Sequence, residues 1–144
     1  EFADSVGVDV VNTSLGYYHF DEGYEPYRYR DLDGHTSLMS HSASMAADKG
    51  IVVVCSAGNS GADAWKKVTP PGDAENVLVV GALTKNLINA ECSSIGNTTD
   101  GRIKPDVMAI GAPSVVSGKD GTVSKANGTS FASPTMCGVD VCFR

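Results

Sequence analysis

The sequence predicts an α/β layered fold built on a parallel sheet, and three observations carry that prediction. Residues 51–55, Ile-Val-Val-Val-Cys, form a continuous apolar run, too short for a helix and rich in β-branched residues. Such a run fits a strand buried on both faces. A second apolar run covers 77–83, and a helical pattern over 36–49 separates the first run from a β-branched stretch at 6–15. Strand, helix, strand order with buried strands is the pattern of a layered sheet covered by helices.

Taken in chain order, residues 6–15 read as a strand that ends at Gly16. Residues 17–34 change character, with Tyr17, Tyr18, Tyr24, Tyr27 and Tyr29 set among acids, Gly23 and Pro26. A loop of that length is either a binding surface or folds onto its own side chains, and the lack of periodicity favours the second. Over 36–49, Leu38, Ser42, Met45 and Ala46 fall at helical spacing on one face, Thr36 or Ser37 caps the start, and Gly50 ends the helix. Further short strands are expected near 90–93, 107–110 and 122–126, with Asp120-Gly121 turning the chain into the last.

A chain of 144 residues, 42% hydrophobic and 19% charged, supports one globular core. A formal charge of −6 with no basic stripe argues against a nucleic-acid partner. No run approaches the roughly 18 apolar residues of a membrane span. The start, Glu-Phe-Ala-Asp-Ser, lacks both an initiator Met and the regions of a signal peptide, so it reads as a piece of a longer polypeptide. Cys55, Cys92, Cys137 and Cys142 have no Cys-x-x-Cys spacing and read as structural, buried thiols rather than zinc ligands.

The stretch most telling of chemistry is 127–134, Asn-Gly-Thr-Ser-Phe-Ala-Ser-Pro. Gly128 is expected to permit a sharp turn, with Thr129 and Ser130 opening a helix and the small Ala132 letting its first turn pack closely. A hydroxyl at a helix N-terminus sits beside unpaired N–H groups and the positive end of the macrodipole, a suitable place to develop an oxyanion. A serine nucleophile also needs oxyanion donors. Asn59 follows the buried strand directly, where the carboxyl ends of parallel strands face a cleft, and its neutral side-chain N–H suits an alkoxide. The competing reading gives Asn59 the left-handed backbone angle of a tight turn.

The run Gly128, Thr129, Ser130, Phe131, Ala132, Ser133, Pro134 is similar, position for position, to the nucleophile motif Gly-Thr-Ser-x-Ala-x-Pro of the subtilisin-like serine proteases. The resemblance extends along the chain. Residues 10–16 resemble that family's substrate-binding strand, 52–59 the strand ending in its oxyanion Asn, and 70–82 the floor of its specificity pocket. Residues 92–96 and 104–112 are similar to its later Phe-Ser-Ser-x-Gly and Lys-Pro-Asp-x-x-Ala-Pro-Gly segments, with Cys92 and Ile110 as departures. The resemblance implies Ser130 as nucleophile, Asn59 as oxyanion donor, and Ser14, Leu15, Gly16, Ala57 and Gly58 as substrate-binding residues for an extended polypeptide. It also implies a secreted or cell-envelope protein.

The family's Asp-containing and His-Gly-Thr motifs precede its substrate strand. This chain begins almost at that strand, and none of His19, His35 and His41 is followed by Gly-Thr. Asp33-Gly34-His35-Thr36 lies where the family has no catalytic residue, and Asp4 and Asp9 are no better placed. The expectation is therefore a partial subtilisin-like domain over 1–144, inactive alone, lacking the N-terminal half that holds Asp and His. A half-sheet would leave an apolar edge open to self-association. No cofactor or metal site is evident, and calcium, common in the family, stays open because no Asp-rich loop of clear spacing is present. The alternatives are a non-catalytic binding or structural module on the same fold and, more weakly, an α/β-hydrolase, whose Gly-x-Ser-x-Gly elbow and later His are missing here.

Overall fold

The computed structural model describes residues 1–143. Four strands, β1 (Val10–Thr13), β2 (Val52–Ser56), β3 (Leu78–Thr84) and β4 (Val107–Ala112), form one sheet in the order β1-β2-β3-β4. All three pairings are parallel, with Val10 opposite Val52, Val54 opposite Leu78 and Val80 opposite Val107. A short helix α1 (Phe2–Ser5) precedes the sheet, α2 (Leu38–Asp48) joins β1 to β2, and α3 (Thr129–Cys142) ends the described chain.

Alternation along the central strands builds two cores. Val53 and Cys55 of β2 join Val79 of β3 under Ala43, Ala46 and Ala47 of α2. Val54, Val80 and Ala82 turn the other way and meet Ala132, Met136 and Cys137 of α3. Because both faces are covered, the run 51–55 contains no polar residue. The parallel α/β sheet expected from the sequence is present.

Several boundaries differ from expectation. The strand at 6–15 shortens to β1 because Gly7 takes a left-handed angle (φ 72°) and Val8 N–H donates to Ala3 O, closing a turn. Residues 90–93 form no strand. Ser93 Oγ instead accepts the Ala82 N–H at 3.0 Å, so a side chain takes the place of a ladder carbonyl. The expected strand at 122–126 is β6 (Val123–Ala126), and it pairs antiparallel with an unforeseen β5 (Ser114–Ser117).

The inward face of α2 is not the one its apolar spacing suggests. Leu38 is 75% and Met45 49% exposed, whereas Ser40 is buried and donates at 2.5 Å to the fully buried Asp73 carboxylate. Three alanines let the helix lie close to β2, and the buried carboxylate needs a donor more than the core needs a leucine. Ser37 holds the N-cap position without a side-chain cap bond, and Gly50 (φ 88°) follows the Lys49 C-cap as expected.

The tyrosine-rich loop 17–34 folds only in part onto its own side chains, packing mainly on residues outside it, and Tyr17 and Tyr18 reach the lining of a cavity. Tyr18 stacks on Trp65 with centroids 4.2 Å apart, Phe20 meets Tyr27 edge-on, and Tyr29 donates its hydroxyl to Thr98 O. Of the four free cysteines only Cys55 is fully buried; Cys142, expected inside, is exposed on the last turn of α3.

Candidate active site

The cleft lies where β1 and β2 end and α3 begins. It holds about 410 Å³ and is lined by Ser14, Leu15 and Gly16 on one side, Gly58 and Asn59 on the other, and Ser130. Five of the residues expected to bind substrate or carry catalysis, together with Asn59, therefore share one cavity. Ala57 is buried beneath it, contributing its carbonyl to the Thr69 N–H.

Helix α3 places Ser130 as its second residue, after Thr129. Gly128 is not a tight turn, since its backbone is extended (φ 161°, ψ 155°), which any residue adopts. Proximity favours glycine instead: a Cβ there would stand 3.3 Å from both Nδ2 and Oδ1 of Asn59 and press on that side chain. Pro134, four residues on, carries no N–H and leaves the Ser130 carbonyl without its helical donor. Ser14 Oγ supplies that donor at 3.2 Å, while Ser130 Oγ donates to Ser14 O at 3.2 Å. The proline of the motif thereby makes room for a reciprocal bond between Ser130 and Ser14.

Asn59 is oriented just as specifically. Its Oδ1 accepts the Thr129 backbone N–H at 2.8 Å and lies 3.0 Å from the Thr129 hydroxyl, which itself accepts from Gly58 N–H. The amide oxygen thus caps α3, and no acceptor within the described residues engages the NH₂ group. The left-handed angle at this turn belongs to Gly58 (φ 105°), and Asn59 has no positive φ. The turn-residue reading of Asn59 falls away. Ser130 N–H, one of the orphan donors of the first helical turn, likewise has no backbone acceptor.

Two residues of the site, Asn12 and Thr69, were not singled out from sequence. Asn12 donates to Ser14 Oγ at 3.0 Å and accepts from Ser133 Oγ at 2.6 Å, linking β1 to α3. Thr69 lies largely buried in the lining of the cleft. The only sequence signal of Asn12 was a polar residue within a β-branched strand, and Thr69, in the loop between β2 and β3, carried none. None of His19, His35 and His41 lines the cleft. A second hollow of about 540 Å³ opens on the other side of Asn59, bordered by Cys92 and Asn127. Burial pushes the Cys92 thiol above its ordinary range, which keeps it protonated near neutral pH. Among the described residues no cluster of His, Cys, Asp or Glu could hold a metal ion, and no helix is long and apolar enough to cross a membrane.

The model of the subtilase family matches residues 2–142. The chain belongs to the subtilase family. Subtilisin DY of Bacillus licheniformis is 33% identical over 139 residues, which are 96% of this chain and 43% of the relative. Subtilisin E of Bacillus subtilis (strain 168) is 32% identical over the same share of this chain and 31% of its own length. The chain thus spans less than half the length of these relatives. Among solved structures, the self-cleaved protease domain of PatA superposes with a TM-score of 0.71 at 22% identity, covering 98% of this chain and 47% of that one. The subtilase fold is therefore shared, and the family is one of serine proteases.

Proposed function

We propose that this chain supplies the nucleophile and the oxyanion hole of a subtilase endopeptidase acting on polypeptides held in extended form along residues 14–16. The observation that carries the reading is one cleft shared by Ser130 and an Asn59 amide whose oxygen is tied down and whose NH₂ faces no protein acceptor. Ser130 Oγ adds to the scissile carbonyl carbon as its proton passes to a base. Asn59 Nδ2–H and Ser130 N–H receive the charge that builds on oxygen. Collapse breaks the C–N bond, the amine leaves with the proton returned by the base, and water releases the acyl group by the same route.

The base in this scheme is a histidine oriented by an aspartate, from the part of a subtilase domain outside the share matched here. The chain alone, whose own histidines stand away from the cleft, is expected to be inactive. A fluorophosphonate probe tests both statements. The full-length protein carrying this chain should label at Ser130 and lose labelling in Ser130→Ala, and residues 1–144 alone should not label. Rapid labelling of the isolated chain would mean that it contains its own base. A folded full-length protein that never labels would favour a non-catalytic module on the subtilase fold.

A further inference from the structure

Asn12 stands on a face of β1 that is otherwise apolar. Side chains alternate along a strand, and Val10 packs into the core that α3 covers, so Asn12, two residues on, faces α3 as well. Its amide is used at both ends. Ser133 Oγ, fully buried, donates to Asn12 Oδ1 at 2.6 Å. Asn12 Nδ2 donates to Ser14 Oγ at 3.0 Å, and Ser14 Oγ donates in turn to Ser130 O at 3.2 Å. The last acceptor is a carbonyl, which has no proton to give, so every bond in this chain runs in one direction only. Asn12 does not line the cleft, and its reach toward the reaction is through Ser14.

We propose that Asn12, anchored by Ser133, is a positioning residue for the nucleophile: it aims the Ser14 hydroxyl at the Ser130 carbonyl and so fixes the start of α3. The proposal rests on the peptidase reading above. The first turn of α3 is held at two points. Asn59 Oδ1 takes the Thr129 N–H, and Ser14 Oγ supplies the donor that Pro134 denies the Ser130 carbonyl. The second hold depends on where the Ser14 proton points. A serine hydroxyl rotates to suit its partners, and Asn12 occupies its acceptor side, which leaves the proton for Ser130 O. Without Asn12 the hydroxyl is free to turn, the Ser130 carbonyl loses its donor, and Ser130 shifts relative to Asn59. Attack on a carbonyl tolerates little of this, since a displacement of about 1 Å can cost about 100-fold in rate.

The test uses the full-length protein carrying this chain, with a fluorophosphonate as probe. It reads the maximal rate of Ser130 labelling and the probe concentration that gives half that rate. Asn12→Ala and Ser14→Ala should each lower the maximal rate by about tenfold to 100-fold, with the half-rate concentration nearly unchanged. Because Asn12 acts through Ser14, the double variant should label no more slowly than Ser14→Ala alone. Asn12→Asp keeps the shape and still accepts from Ser133, but an ionised carboxylate has no proton for Ser14 Oγ and draws that hydroxyl away from Ser130. It should stay folded and label as slowly as Asn12→Ala. Wild-type rates in the folded Asn12 variants, or a double variant whose loss is the product of the two single losses, overturn the inference and leave the peptidase reading intact. Failure of both Asn12 variants to fold does the same, since Asn12 is then a structural residue. A folded wild-type protein that never labels overturns the peptidase reading, and the inference with it.

Discussion

Asn59 joins two roles in one amide: its oxygen caps α3, and its nitrogen is the proposed oxyanion donor. The two roles separate by substitution. Asn59→Ala removes both, whereas Asn59→Asp keeps an acceptor for the Thr129 N–H, and its negative charge suits a helix N-terminus. In the full-length protein both variants should lower kcat by about 100- to 1000-fold with KM nearly unchanged, the size known for this donor in subtilisin itself. Only Asn59→Ala should also lose about 0.5–2 kcal/mol of stability, the cost of a missing cap. An Asn59→Asp protein with full kcat would leave Asn59 as a cap and nothing more.

At the scale of elements, the exit from β2 matters most, because Gly58 must turn left-handed directly beneath Thr69 and Ser94. A Cβ there would approach Thr69 Oγ1 to 2.7 Å and Ser94 Oγ to 2.9 Å. Gly58→Ala should therefore cost about 1–3 kcal/mol through backbone strain, with crowding added. A thermal melt checks this, and an unchanged Tm would mean that the turn relaxes without effect. Helix α2 shows how a local pattern misleads. Its spacing favours Leu38 and Met45 as the inner face, yet the buried Asp73 carboxylate draws Ser40 inward and turns both apolar residues out. Periodicity records where apolar residues lie, not which polar group a distant loop has buried.

Two consequences belong to the molecule as a whole. In the sheet β1-β2-β3-β4, β1 and β4 are edge strands, and Ile103 and Ile110 are exposed near the second of these. The isolated chain should self-associate, so that light scattering shows a mass above 14.9 kDa that grows with concentration. A compact monomer at high concentration would contradict this. The second consequence is acid sensitivity in the segment 98–102. The Arg102 side chain beside Asp100 holds that carboxyl down to about 2, against an ordinary value of 3.8. A folded-state value below the unfolded one stabilises fully above about pH 4, and that contribution disappears as pH falls toward 2. Acid titration of stability should show a smaller loss in Asp100→Asn than in the wild type. Equal losses would mean that the Arg102 pairing is absent in solution.

The sequence by itself determined the fold class and the two ends of the cleft. Residues 51–55 and 77–83 are apolar because both faces of a covered parallel sheet are dry, and 127–134 marks Ser130 because helix entry and a following proline need those residue types. Asn59 was legible for the same local reason, its place at the end of a buried strand. Tertiary structure decided what no local pattern encodes: that Asn59 Oδ1 caps a helix 70 residues away, that Ser14 and Ser130 exchange hydrogen bonds across 116 residues, and that Thr69 joins the lining of the same cleft. Those contacts join polar groups from separate segments, and which donor meets which acceptor depends on how the layers pack.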